Sequence, residues 1–360
     1  MTLYDIARPI FFKLPPEIAH GVGKEILRVS GSNRLIGNKI RSYYQFEHHM
    51  LETKCMNMEF PNPIGIAAGF DKNGEVTRSI IDIGFGFAEI GTVTPEAQIG
   101  ESKPRLFRLP KDEGMINRLA FNGEGADAVK KRMGILRDIS APISVNIGKM
   151  NHSGPEEAVK DYVSVFEKLY EFPDYFVINV SCPNTPDVYD ESSSEHLSEV
   201  FGALQDKNRD DKPIAVKIGP DYNSKEKLDS LSKSVEVAED FGINAIVATN
   251  TTTDHSKLSS KDRNEWGGVS GRPLEKKATE TVEKLYGLTD LPIIGVGGVD
   301  SAETAYRKIQ HGASLVQIYT GFVYKGPSLA RQITTGLVDL LERDGYSNIE
   351  EAVGTECKEL

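Results

Sequence analysis

Cys182 stands in VSCPNTP (180–186), where an apolar run gives way to a polar loop just before Pro183. A cysteine so placed is either an inert small hydrophobe or a reactive thiol. With its pKa brought toward ambient pH, a thiol can serve as a general base. Other apolar runs end in the same manner, on Lys72, Thr92, Asn146, Asn179, Lys217, Thr249-Asn250-Thr251, Gly297-Gly298 and Tyr319-Thr320-Gly321. Carboxamides carry donors and acceptors side by side, which suits a flat polar ligand such as a pyrimidine or flavin ring. Asp71 stands alone among these ends and the histidines are scattered. That pattern argues against a metal site, which needs clustered carboxylate, His or Cys ligands. It also argues against a glycosidase, which needs two paired carboxyl groups.

The elements that must position these residues follow one rhythm from about residue 62 onward. Short apolar, β-branched runs occupy 63–69, 87–93, 142–148, 175–181, 213–219, 245–250, 292–298 and 315–321. Continuous apolar runs of this length fit strands buried on both faces. Helical patterns lie between them, including 156–170, with Val159, Val163, Phe166 and Tyr170 on one face, 227–242, ending at a Gly242 cap, 303–312 and 328–345. Eight strands each followed by a helix predict a (β/α)8 TIM barrel, with a doubly wound sheet as the competitor. In a barrel, function gathers where strands end, and glycine turns after the last two strands form a phosphate site. The competing reading of GVGG is a tight turn alone. A phosphate held there, with Lys217 on the fifth strand at a ring carbonyl, describes FMN.

Two stretches depart from the rhythm. The segment 54–63 reads as a small hairpin sealing the barrel floor. The stretch from Thr94 to Asn122, with RLFRL (105–109) and Met115-Ile116, is long enough to form its own strands over the active face. Residues 1–45 precede the barrel and are expected to form an N-terminal helical extension, with residues 46–360 as the catalytic domain. Leu3, Ile6, Ala7, Ile10, Phe11 and Leu14 form one amphipathic stripe, with Asp5 as the expected N-cap ahead of Pro9. Ile18, Val22, Ile26 and Val29 form a second. Such a pair of helices either packs on the barrel or lies at a membrane surface or apolar-ligand mouth.

Composition excludes whole classes. Of 360 residues, 42 are Lys or Arg and 53 Asp or Glu, a net charge of −11 that disfavours a nucleic-acid partner. No run approaches the roughly 18 apolar residues of a spanning helix. Cys55, Cys182 and Cys357 form neither a C-x-x-C pair nor an even set, so neither a disulfide framework nor a zinc site is expected. The N-terminus lacks signal-peptide or transit-peptide character. Glycine is abundant, at 33 residues, and clusters beside the apolar runs, as close backbone approach to a ligand requires.

The motifs AAGFDKNGE (67–75), EIGTVTP (89–95), KPRLFRL (103–109), INRLAFN (116–122), VNIGK (145–149), NVSCPNTP (179–186), ATNTT (248–252), GGVSGRPL (267–274), IIGVGGVD (293–300) and LVQIYTGFVYKGP (315–327) occur in one order. Together they make nearly the whole chain resemble the dihydroorotate dehydrogenase family. The N-terminal extension, ATNTT and SGRPL resemble its membrane-associated, quinone-dependent class. The resemblance implies oxidation of (S)-dihydroorotate to orotate in pyrimidine synthesis, with one FMN per chain and a quinone as final acceptor. It implies FMN contacts at Ala68, Gly69, Lys72, Thr92, Asn146, Asn179, Lys217, Thr249, Gly271, Gly298, Tyr319 and Thr320. It implies substrate contacts at Lys72, Asn117, Arg118, Leu119, Ala120, Phe121, Asn179, Asn184, Asn250 and Thr251, and a quinone end near Arg108 and Tyr319. The family's base position falls on Cys182, which would take the C5 proton while hydride leaves C6 for the flavin. Quinone-dependent members typically carry Ser there and soluble members Cys, so the chain departs from its apparent class at this residue. A monomer, held peripherally on the cytoplasmic side of the cell membrane, is the expected state. The alternatives are a soluble-class enzyme using fumarate or a nicotinamide-linked acceptor, a non-redox barrel for a phosphorylated ligand, and a non-catalytic membrane-surface module.

Overall fold

A computed structural model describes residues 2–136, 139–184 and 192–357. Eight parallel strands close into a barrel: β3 (Ile64–Ile66), β4 (Phe87–Val93), β7 (Ile143–Ile147), β8 (Tyr175–Asn179), β9 (Ile214–Ile218), β10 (Ala245–Ala248), β12 (Ile293–Val296) and β13 (Ala313–Ile318). They are the eight runs read from the sequence. Nearly every residue in them is buried, because the inner face packs on itself and the outer face on helices. Those helices include α4 (Thr77–Asp82), α5 (Ala126–Met133), α6 (Pro155–Leu169), α7 (Ser194–Gln205), α8 (Lys225–Asp240), α9 (Glu275–Tyr286), α10 (Ala302–Gln310), α11 (Thr320–Lys325) and α12 (Leu329–Asp344).

On α6 the buried stripe is Ala158, Tyr162, Val165, Phe166 and Leu169. Val159 and Val163 sit at its edge, half-buried, a rotation of the predicted face by about one residue. α8 stops with Gly242 at φ +66°, a backbone conformation that favours glycine. The floor hairpin forms as β1 (Thr53–Cys55) and β2 (Met58–Phe60), antiparallel. Its Cys55, Met56 and Phe60 pack with Phe87, Tyr175, Val177 and Leu315 of the barrel interior and close that end.

Over the opposite, C-terminal end lies a three-stranded antiparallel sheet, β5 (Leu106–Leu109), β6 (Gly114–Asn117) and β11 (Gly268–Gly271). The first two were expected between 94 and 122. The third was not, because two of its four residues are glycine, which carries no strand preference. The N-terminal segment holds three helices rather than two: α1 (Leu3–Phe11), α2 (Pro16–Ser32) and α3 (Arg34–Tyr44). Thr2, not Asp5, caps α1. Asp5 is the third helical residue, and its carboxylate accepts from the Thr2 N–H (2.7 Å) while its own N–H donates to Thr2 Oγ1 (3.3 Å), a capping box. Starting the helix that early leaves Pro9 in the last turn, where it costs one ladder bond close to the end.

Candidate active site

The C-terminal ends of the barrel strands and the small sheet above them enclose a cleft of about 1030 Å³, counting its open mouth. Its lining brings together Cys182, Lys72, Lys217 and the strand-end carboxamides. Of the predicted cofactor positions, Ala68, Gly69, Lys72, Thr92, Asn179, Lys217, Thr249, Gly271, Gly298, Tyr319 and Thr320 face the cleft. Asn146 is fully buried one layer behind the wall. Of the predicted substrate positions, Lys72, Asn117, Leu119, Ala120, Phe121, Asn179, Asn184, Asn250 and Thr251 line it.

Arg118 does not line it. Its guanidinium turns outward, donating to Glu265 Oε2 (2.9 Å), Trp266 O (3.1 Å) and Pro104 O (2.9 Å), and lies between the rings of Phe107 and Trp266. It clamps the loop before β11 to the sheet over the cleft. Thr185 and Pro186 of the NVSCPNTP motif lie outside the described residues.

The carboxamides form a continuous relay. Thr92 Oγ1 donates to Asn146 Oδ1 (2.6 Å). Asn179 Nδ2 donates to Thr92 Oγ1 (3.1 Å) and Asn146 Oδ1 (3.2 Å). Asn250 Nδ2 donates to Asn179 Oδ1 (3.1 Å) and Ser181 Oγ (3.3 Å). On the other wall Asn184 Nδ2 donates to Asn117 Oδ1 (3.0 Å), and Asn184 Oδ1 accepts from the Gly268 N–H (3.2 Å). Each amide has a fixed rotamer and a fixed direction, so the cleft meets a ligand preorganised.

Two polar cleft residues escaped the sequence reading. Gln317 is fully buried in β13, and its Oε1 has no partner among the described residues. Ser270 accepts from Thr320 Oγ1 (2.8 Å) beside the last turn. The available signal for Gln317 was a polar residue within the apolar run Leu315–Ile318. Burial pushes the Lys72 ammonium down to about 7, helped by the charge of Arg105, while its Nζ donates to Asn122 Oδ1.

The cleft also fits a phosphate-bearing cofactor. Residues 296–299 and 317–321 both contribute to its wall. Gly298 sits at φ +76°, and a Cβ there would stand 2.2 Å from Glu275 Cβ, so only glycine lets this turn close against α9. Gly69, at φ +100°, brings bare backbone beside the Tyr319 ring, 3.2 Å from where a Cβ would be.

A second cavity, of about 950 Å³ counting its mouth, lies between α1, α2 and the barrel. Its wall is apolar, with Phe11, Phe12, Ala19, Ile26, Leu27 and Phe322 among its residues. Arg108 is its main charged group. Arg108 Nη1 donates to Phe12 O (3.0 Å), its guanidinium lies 4.7 Å from the Phe12 ring centre, and burial lowers its pKa. His20 lines the same space edge-on to Phe70, and burial holds its imidazole down at about 4, so it is neutral there. Leu106, Met115 and Tyr319 line both cavities, so a wall one side chain thick separates them. Burial pushes the Tyr319 phenol up to about 12, which keeps it neutral.

Comparison with known proteins agrees with this geometry. A family model described as dihydroorotate dehydrogenase matches residues 50–341. The chain is 42% identical over 358 residues, 99% of its length and all of the relative's, to a protein of Natronomonas pharaonis named dihydroorotate dehydrogenase (quinone). It is 43% identical over 356 residues, 98% of its length and 99% of the relative's, to a Gloeobacter violaceus protein of the same name. A solved structure of ligand-free DHODH from Eimeria tenella superimposes with a TM-score of 0.86 at 33% identity, covering 96% of this chain and 100% of that one.

Proposed function

The chain belongs to the dihydroorotate dehydrogenase family, and from that premise we propose that it oxidises (S)-dihydroorotate to orotate in pyrimidine biosynthesis with FMN and a quinone. The observation that carries this reading is the pair of cavities. A polar cleft with a thiol, two lysines and an amide relay adjoins an apolar chamber through Tyr319, Leu106 and Met115. Single-residue separation suits two half-reactions that share one cofactor. The glycine turns and the unpartnered Gln317 Oε1 support FMN as that cofactor, with Lys217 and Gln317 toward its ring and residues 297–298 and 319–321 toward its phosphate. When bound, FMN supplies the acceptor for the hydride leaving C6 and hands its electrons on to the quinone.

The chain's own residues do the remainder. Cys182 takes the C5 proton onto Sγ. Lys72 meets the substrate carboxylate, while Asn117, Asn179, Asn184 and Asn250 hold the ring amides, so the scissile C–H bonds stay aligned. Arg108 supplies the charged contact in a mostly apolar chamber for the quinone head. The full-length likeness to relatives named as quinone enzymes favours this acceptor over fumarate or a nicotinamide, although Cys182 is the soluble-class residue.

Among the described residues no helix is long and apolar enough to cross a membrane. The quinone is met instead at the surface: Ile6, Ile10, Ile18, Ile26 and Leu35 on α1–α3 are exposed, Leu35 by 75%. We read these helices as a peripheral contact on the cytoplasmic side of the membrane.

The test is the visible spectrum of the purified protein before and after anaerobic dihydroorotate. A yellow protein that bleaches supports the reading. A colourless protein, or a yellow one that never bleaches, overturns it.

A further inference from the structure

Beneath the cleft lies a carboxylate that the chemistry above leaves unused. Glu89, on β4, is wholly buried inside the barrel. Each of its oxygens accepts an amide N–H: Oε1 from Asn146 Nδ2 (2.8 Å) and Oε2 from Gln317 Nε2 (2.6 Å). Lys217 Nζ stands 3.8 Å from Oε1. We propose that Glu89 is a positioning residue that sets the donor and acceptor direction of the carboxamide relay and holds the Lys217 ammonium in the cleft wall. This rests on reading the cleft as the FMN and dihydroorotate site.

The argument is one of polarity. The two ends of a primary amide have nearly the same shape, and only their partners decide which faces where. An ionised carboxylate accepts and never donates. Glu89 therefore obliges Asn146 to present Nδ2 to it, which leaves Asn146 Oδ1 as acceptor for Thr92 and Asn179. Asn179, with Nδ2 so engaged, presents Oδ1 to Asn250. Gln317 is turned by the same carboxylate, with Nε2 engaged and Oε1 left without a partner among the described residues. The wall thus offers an acceptor at Gln317 and a cationic donor at Lys217, complementary to a ring that alternates N–H and C=O groups. Glu89 also neutralises Lys217, whose ammonium is almost fully buried and would otherwise stand uncompensated.

Glu89→Gln changes charge without changing shape. Its amide can face either way, so Asn146 is free to turn over, and Lys217 loses its counter-charge. Two measurements on the holoenzyme read this, the midpoint potential of the bound FMN and the KM for dihydroorotate. In Glu89→Gln the potential is expected to rise, because an uncompensated cation favours added electrons. KM is expected to rise about tenfold, the cost of one well-placed hydrogen bond. Glu89→Asp keeps the charge and shortens the reach by one methylene, so its potential should stay at the wild-type value while KM rises. Glu89→Asp also decides the matter if Glu89→Gln is not recovered folded. Wild-type values of potential and KM in Glu89→Gln, or a wild-type KM in Glu89→Asp, overturn the inference and leave the enzyme assignment standing. A wild-type protein without flavin absorbance overturns both.

Discussion

Cys182 and Lys72 carry the sharpest expectations at the scale of single residues. A thiol has an unperturbed pKa of about 8.5, well below that of a hydroxyl, so it needs less help to act as a base. Cys182→Ser is therefore expected to move the acid limb of the kcat profile to higher pH, and Cys182→Ala to cost about 10²–10⁴ in kcat. A Ser variant with an unaltered rate and profile would remove the thiol from the base role. Lys72, held down at about 7, is cationic below that pH and neutral above it in the free enzyme. Its grip on a carboxylate substrate should fade as pH rises through 7, so KM climbs on the alkaline side. In Lys72→Met, KM should be higher and lose this pH dependence. Most of the motif residues line one cleft because strand ends in a barrel point one way. They misled at Arg118, whose neighbour Asn117 pairs across the sheet while its own side chain turns outward to Trp266. Glu89 and Gln317 were visible as polar residues in apolar strands, but only the fold shows that two strands so far apart in sequence meet at one carboxylate.

The elements divide by how they bury their faces. The eight barrel strands were legible because a strand covered on both sides must be apolar throughout, whatever follows it. α3 was missed because Leu35, Ile36 and Tyr43 stay exposed while the side that packs on the core carries only Gly37, Ile40 and Tyr44, a faint stripe in sequence. β11 was missed because glycine carries no strand preference, yet a Cβ at Gly268 would stand 2.0 Å from Thr251 Oγ1. Its place in the lid is held from outside by Arg118, through cation–π contacts worth about 0.5–1 kcal/mol each at exposed sites. Arg118→Ala should therefore raise KM for dihydroorotate more than it lowers kcat, with little change in thermal stability. Steady-state kinetics beside a melting curve would show it, and a fall confined to kcat would speak against a lid role.

At the scale of the whole molecule, an acidic barrel carries an apolar helical foot. The acidity behind the net charge of −11 lies on the barrel, while residues 1–45 carry seven Lys or Arg against three Asp or Glu, so the foot can meet an anionic bilayer with apolar side chains and basic ones together. Cosedimentation with anionic lipid vesicles should weaken in part as salt is raised, and Ile6→Ser with Ile10→Ser should weaken it further while leaving the reaction with dihydroorotate intact. The juxtaposed cavities give the molecule its central claim, that electrons enter from dihydroorotate on one side of Tyr319 and leave to a quinone on the other. The most direct test is an anaerobic stopped-flow experiment in which the flavin is first bleached by stoichiometric dihydroorotate, then mixed with a quinone, fumarate or NAD+. The colour should return with the quinone and stay bleached with the other two. Return with fumarate or NAD+ and none with the quinone would contradict the account.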